Sequence, residues 1–466
     1  MVVTIVVLLI LAGISISLVV GDNGLIRKSK DAKKQYEEAQ ANELAMTDEA
    51  GDLIDETVTG KGKKLTGEDY TTDYTKPYLP SSDFSVVEGT TLANGLVVKD
   101  KQGNEYVWVE VPTNIYDNET YNTETIAGDK KPASKEDTDK IEYCLKKYTS
   151  VYRENGYADE YIDDSTPGWF AGETDYNNAK KAMLKSVYEN GGFYVGRYEA
   201  GISEFRTSNE NEPTEVPASK QNMIPYTNIT RTQAKQLAEK VNSGGYTSSL
   251  MFGIQWDLML AFMQNKGGVD VSTLTTDSTS IGNYSNNKWS ITNNKAKYSK
   301  DYGKSWNDGS YTKEEEGEVL LTTGASDTFA KMNIYDVAGN VFEWTLERYQ
   351  SGSTVGSNGV KLASLENTQI SPIRMALKME VGPPCVFRGG SYNGSGSNYP
   401  ASYRYYNIDS YSLASIRVAI SISRLLRLRC CWLPCHTLLG RPKVLDAINQ
   451  NLTHAKAQSI NKANPW

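Results

Sequence analysis

Asp336 and Glu343 are the first residues whose type and spacing invite chemistry. They lie seven residues apart in Ile334-Tyr335-Asp336-Val337-Ala338-Gly339-Asn340-Val341-Phe342-Glu343-Trp344-Thr345, with the backbone carbonyls of Gly339 and Val341 on the turn between them. Alternate oxygens converging from one tight loop are what a hard cation such as Ca2+ takes, here in a structural role. The same residues also read without a metal, with Asp336 capping a turn and Glu343 paired with Arg348 or Arg388.

Other reactive groups are scarce. The two histidines, His436 and His454, both fall in the last thirty-one residues, so the body lacks imidazole for acid–base work or metal binding. Three of the five cysteines are in the tail, which rules out a disulfide scaffold; whether Cys144 and Cys385 pair is left open. Cys430, Cys431, Cys435 and His436 match none of the usual zinc spacings. Asp409 is a lone carboxylate among hydroxyls, with no partner for acid–base catalysis. A net charge of −8 and a pI near 5.2 argue against a nucleic-acid partner, which would want a concentrated basic face.

The chemistry the chain does carry is that of binding. Between Ser391 and Ser415 stand seven Ser, six Tyr, three Asn and one Asp, seventeen of twenty-five positions. Tyr supplies rigid contact area at low entropic cost, and Ser, Asn and Gly supply adaptable hydrogen bonding, the economy of an antibody paratope. The candidate ligand-binding residues are Tyr392, Asn393, Ser395, Asn398, Tyr399, Tyr403, Tyr405, Tyr406, Asn407, Asp409 and Tyr411. A Ser/Asn-rich loop without a partner has the same composition. Thirty Tyr against nine Phe places much of the Tyr at a surface, because a core prefers the ring without a hydroxyl to satisfy.

Elements must hold this segment. Phe387-Arg388-Gly389-Gly390 before it and Ile416-Arg417-Val418-Ala419-Ile420 after it alternate like strands of a packed sheet, and Arg388 and Arg417 read as framework. Leu96 to Asp100, Tyr106 to Pro112 and Gly192 to Glu199 read as further strands. Asn177 to Tyr188, Thr232 to Val241 and Gln255 to Gln264 read as helices. Residues 113–167 are polar and read as a peripheral insertion; residues 265–317 read as long loops. The fold class expected is α+β with much irregular structure.

The two ends differ from the body. Residues 1–20 contain no charged side chain, enough to cross a bilayer as a helix, and Gly21-Asp22-Asn23-Gly24 breaks the run. An anchor helix over 1–24 followed by a charged helix and linker over 25–83 is the expectation. By charge alone, the basic residues between Arg27 and Lys34 would set the body on the cytoplasmic side. Residues 424–466 carry seven Lys/Arg against one Asp, or +6, so the rest carries −14. This basic tail, within 421–466, has no assigned role.

The N-terminal run V-V-T-I-V-V-L-L-I-L-A-G-I-S-I-S-L-V-V-G-D-N-G-L-I-R-K-S-K-D-A-K-K resembles the first helix of type IV pilin-like proteins of Gram-positive bacteria. That resemblance implies a membrane anchor with the body on the outer face of the cell, and this is the localisation expected. Pro225-Tyr226-Thr227-Asn228-Ile229-Thr230, the Y-D-V-A-G-N-V-F-E-W-T block and the F-R-G-G-S-Y block running on to Ile416-Arg417-Val418-Ala419 resemble the formylglycine-generating-enzyme-like (sulfatase-modifying factor) domain. It implies a C-type-lectin-type fold over 84–420, with calcium at Asp336, Gly339, Val341 and Glu343. The oxidases of that family need cysteines just after G-G-S-Y, and their iron-dependent relatives need a histidine cluster. Residues 388–420 contain no Cys, so no enzymatic activity is expected.

The variable proteins of diversity-generating retroelements use the same fold, with a diversified segment between their R-G-G-S and R-V-A strands. Mutagenesis at template adenines turns Asn codons mainly into Asn, Tyr, Ser, Asp and Ile, and the residues of 388–420 look like such a product. The resemblance implies a surface-displayed receptor or adhesin for an unknown protein or glycan on a cell or phage. A structural minor pilin-like protein is the alternative, and a formylglycine-generating-type modifying enzyme a more distant one.

Overall fold

The computed structural model describes residues 30, 32–36, 62–125, 128–153, 157–161, 167–241, 246–349, 385–407, 411 and 414–421. The expected anchor over 1–24, most of the charged helix and the basic tail lie outside these. Among the described residues no helix is long and apolar enough to cross a membrane. The architecture is mixed α+β, mostly sheet.

In chain order the elements that frame the site are the strands Ser85–Val86 (β1), Val97–Lys99 (β2) and Glu105–Glu110 (β3), the helix Thr138–Tyr148 (α1), the strand Tyr157–Ala158 (β4), the helix Glu173–Asn190 (α2), and the strand Gly192–Gly196 (β5). The helix Arg231–Lys240 (α3), the strand Thr247–Leu250 (β6) and the helix Gly253–Asn265 (α4) follow. Then come the strands Phe342–Tyr349 (β7), Cys385–Arg388 (β8), Arg404–Asn407 (β9), Ala414–Ser415 (β10) and Val418–Ser421 (β11).

Local chemistry explains the helix ends. Thr230 Oγ accepts the Gln233 amide at 3.1 Å while Gln233 Oε1 accepts the Thr230 amide at 3.0 Å, a capping box that starts α3. Gly191, at φ 67°, ends α2 in the left-handed turn that only glycine adopts cheaply. α4 is apolar nearly all round and is buried from Gly253 to Met263, as such a helix must be.

One sheet runs β1-β2-β3-β5-β11-β6, antiparallel throughout, and its central strands β3, β5 and β11 are apolar runs. A second, five-stranded sheet runs β9-β8-β7-β10, with β4 also pairing to β7, and smaller sheets of two or three strands lie elsewhere. The Tyr-rich segment therefore leaves from one sheet at Arg388 and returns to the other at Val418. Strands lie on both flanks, as the alternation implies, but Gly389, Gly390, Ile416 and Arg417 stand outside them.

Two regions carry more core than their polarity indicates. Residues 113–167 bury Ile115, Tyr116, Ile141, Cys144 and Leu145, and residues 265–317 add Trp289, Ile291 and Ala296 to a satellite core completed by Val319, Leu321 and Phe329. The tyrosines also depart from the surface expectation. Tyr176, Tyr194, Tyr226 and Tyr284 are wholly buried, and each hydroxyl donates to a main-chain carbonyl, of Leu346, Tyr78, Glu215 and Tyr399 in turn, at 2.7–3.0 Å. A buried hydroxyl with a carbonyl acceptor costs the core little.

Candidate functional site

Register divides the second sheet into two faces. Trp344 stands opposite Phe387 and Phe387 opposite Tyr405; on the other face Glu343 stands opposite Arg388 and Arg388 opposite Arg404. Period-two alternation makes one face an aromatic row and the other an ionic row.

The aromatic row runs outward from the buried Trp344 through Phe387 at 5.8 Å to Tyr405 at a further 6.0 Å, where Tyr405 is 36% exposed. Tyr405 stacks between Tyr403 and Tyr406 at 6.0 and 5.3 Å, and Tyr406 stacks on Tyr349 at 3.9 Å. Tyr399 meets Tyr403 edge-on at 4.8 Å, and Tyr411 stacks on Phe387 at 4.9 Å. Five of the six tyrosines of the segment thus form one continuous array over Phe342 and Phe387. Tyr392 sits apart, buried against Leu320 and Val341.

Exposure divides the candidate residues. Asn398 and Tyr405 are exposed, and Asn393, Ser395, Tyr399, Tyr406, Asn407 and Tyr411 are half-buried. Tyr392 and Tyr403 are buried, and Asp409 lies outside the described residues.

The segment's backbone is pinned by residues 274–287 and 340. Gly394 and Gly396 carbonyls accept the amides of Ser285 and Ser278 at 2.8 and 3.0 Å, the Ser402 amide donates to Leu274, and the Tyr392 amide donates to Asn340. Gly396 must be glycine, since a Cβ there would stand 2.3 Å from the Thr279 nitrogen.

The ionic face is buried against α4. Arg388 donates to Asp257 at 2.8 Å and to Glu347 at 3.2 Å. Arg404 donates to both oxygens of Asp257, to Glu347 at 3.0 Å and to the Tyr152 carbonyl, and Arg153 reaches Asp257 at 2.8 Å. Two guanidiniums directly opposite one another would repel; two carboxylates between them reverse the sign. Burial alone would raise the Glu347 carboxyl, yet Arg404, Arg388 and Arg153 outweigh it and hold the group down at about 2.

Asp159 completes this layer by accepting the Gly253 and Ile254 amides at 2.7 and 2.9 Å, a start for α4 supplied from outside the helix. Burial pushes its carboxyl up to about 6, with Glu347 adding and Arg153 and the Ile254 amide opposing. A carboxyl raised on folding contributes stability that is fully present below its unfolded value of 3.8 and is lost as pH rises through about 6. Asp159→Asn should therefore flatten the pH dependence in that window. Measured by urea denaturation between pH 4 and 7, the wild type should lose up to about 3 kcal/mol relative to the variant. Parallel curves would refute the assignment.

A second buried cluster lies at the end of the segment. Arg417 pairs with Glu343, Asp336 Oδ2 accepts the Gly324 amide at 2.8 Å, and Glu199 accepts the Val341 amide and the Asn340 side-chain amide at 3.2 and 2.7 Å. Burial, then Asp336 and Glu343, pushes the Glu199 carboxyl well up. Arg348 pairs with Glu160, so neither partner expected for Glu343 takes it. With Glu343 given to a guanidinium, the set Asp336, Gly339, Val341 and Glu343 as arranged does not fit a divalent cation. Among the described residues no group of three or more His, Cys, Asp or Glu is placed to hold a metal. Cys144 and Cys385 are both buried, and burial pushes the Cys144 thiol to about 11, far from a reactive thiolate.

Asp257, Glu347, Arg404 and Glu199 were not singled out from sequence. One trace of them is legible: Glu343, Thr345 and Glu347 alternate with Phe342, Trp344 and Leu346, a polar face within a strand otherwise fit for a core. Another is that Arg404 is the lone basic residue between Arg388 and Arg417.

No protein-family model matches the chain, the formylglycine-generating-enzyme-like family included, and no curated protein does. Among solved structures it is similar to Treponema denticola variable protein 1, at 15% identity and a TM-score of 0.24, over 49% of this chain and 84% of that one. A likeness of that quality carries no inference about fold or function.

Proposed function

We propose that this chain is a ligand-binding protein, not an enzyme, that displays residues 392–411 as a diversified surface on a fixed α+β frame, anchored by its N-terminal segment on the outer face of a cell. The observation that carries the reading is the division of labour within the segment. Its backbone is fixed by main-chain hydrogen bonds and its ends by buried arginines, while Asn398 and Tyr405 face outward and Tyr399 and Tyr411 lie half-open beside them. Side chains can then change without moving the frame. Aromatic faces supply contact area, and neighbouring Ser and Asn groups fix the orientation of a protein or glycan partner.

Deep sequencing of the locus across a population of the host tests this. Substitutions should concentrate at adenine-bearing codons between Ser391 and Ser415 and spare Arg404, with Asp336 to Thr345 constant. Sparse, even variation would instead make it a fixed protein and remove diversification from the reading.

A further inference from the structure

The cluster at Arg417 has the form of a cation site with the cation built in. Its Nε lies 3.1 and 3.0 Å from the two oxygens of Glu343, and its Nη2 lies 2.7 Å from Glu343 Oε1 and 2.8 Å from the Tyr335 carbonyl. Nη1 lies 2.9 Å from the Gly196 carbonyl. Four oxygens from three chain segments thus surround one permanent positive charge, and both partners of the ion pair are wholly buried. A structural Ca2+ also asks for an oxygen cage of carboxylate and carbonyl groups. A guanidinium is planar, always charged and rich in donors, so it meets the same oxygens by hydrogen bonds.

The neighbouring acids are likewise served by the chain. Asp336 takes the Gly324 amide, and Glu199 takes one donor on each oxygen. Arg417 also closes the frame mechanically. It lies on the segment's return path, one residue before β11, and ties it to β7 through Glu343, to β5 through Gly196 and to the Asp336 turn through Tyr335.

We propose that Arg417 takes the structural place of a divalent cation, so that the frame holding the binding segment is metal-independent. The inference concerns the frame alone and stands whatever the segment binds.

Thermal unfolding of the full chain in mild detergent tests it, first stripped with EDTA and then titrated with CaCl2 or MgCl2. The midpoint should not move. A bound ion at a hundredfold its dissociation constant would raise it by roughly 4 °C, and such a rise, reversed by EDTA, would overturn the proposal. Arg417→Met leaves Glu343 buried without its partner and should lower the midpoint by roughly 5 °C. Arg417→Met combined with Glu343→Gln removes the pair whole and should recover most of that loss. A double variant no more stable than the single one would also count against the built-in cation.

Discussion

Arg404→Met is expected to destabilise the folded chain by about 3–5 kcal/mol, the range for breaking a buried ion pair from one side. The arginine serves both oxygens of Asp257, one oxygen of Glu347 and the Tyr152 carbonyl, all within the layer between β8, β9 and α4. Methionine fills much of the volume but supplies no donor, so Asp257 and Glu347 must share Arg388 and Arg153. The neutral Tyr152 carbonyl is left without the arginine. The measurement is the urea midpoint at neutral pH with the m-value held constant. A loss below about 1 kcal/mol would mean that the remaining arginines suffice and that Arg404 is dispensable. Tyr405→Ala, one residue along on the exposed side, is the internal control and should cost clearly less, since it removes ring contacts but strands no buried charge.

That same Tyr405→Ala substitution should be costly for binding. Tyr405 is the open end of the aromatic row and Tyr399 lies beside it, half-buried, at the mouth of the array. Aromatic anchors at the centre of an interface commonly account for 2 kcal/mol or more, so Tyr405→Ala together with Tyr399→Ala should weaken a ligand found by glycan or protein array about 30-fold or more. The pair should lower the melting midpoint less than Tyr403→Ala does, because both rings are only partly buried. Tyr392→Ala and Tyr403→Ala make the contrasting case, since both side chains are buried and their removal opens cavities. They should lower stability first and affinity only as a consequence. If all four variants bind as the wild type does, the Tyr-rich segment is not the binding surface.

The sequence made the strands beside the segment, the helices α2, α3 and α4 and the polar, tyrosine-rich character of the segment legible, because period and composition are local; it missed α1, Thr138–Tyr148, whose polar surroundings read as an insertion. It did not reveal which tyrosines point outward. Tyr392 and Tyr405 stand in similar Ser/Asn/Tyr surroundings, yet one packs on Leu320 and Val341 while the other faces solvent. The difference comes from pairing with β8, a partner fixed by register and not by neighbours in the chain. The ionic layer was hidden for a similar reason. Asp257, Glu347, Arg388 and Arg404 meet across separations of 41 to 147 residues. Glu343 shows the same limit: its nearby arginines were the evident partners, but Arg417, seventy-four residues on, holds it.

The alternation of the second sheet also governs how this protein can evolve. Because Arg388, Arg404 and Glu343 share one face and Phe387, Tyr405 and Trp344 the other, a slip of one residue in β9 would turn its guanidinium toward solvent and drive a tyrosine into the charged layer. The pinned carbonyls of Gly394 and Gly396 leave little slack to absorb an extra residue upstream. Exchange of one side chain for another is therefore tolerated where a gain or loss of a codon is not, and lineages of this protein should differ between Arg388 and Arg404 in spelling but not in length.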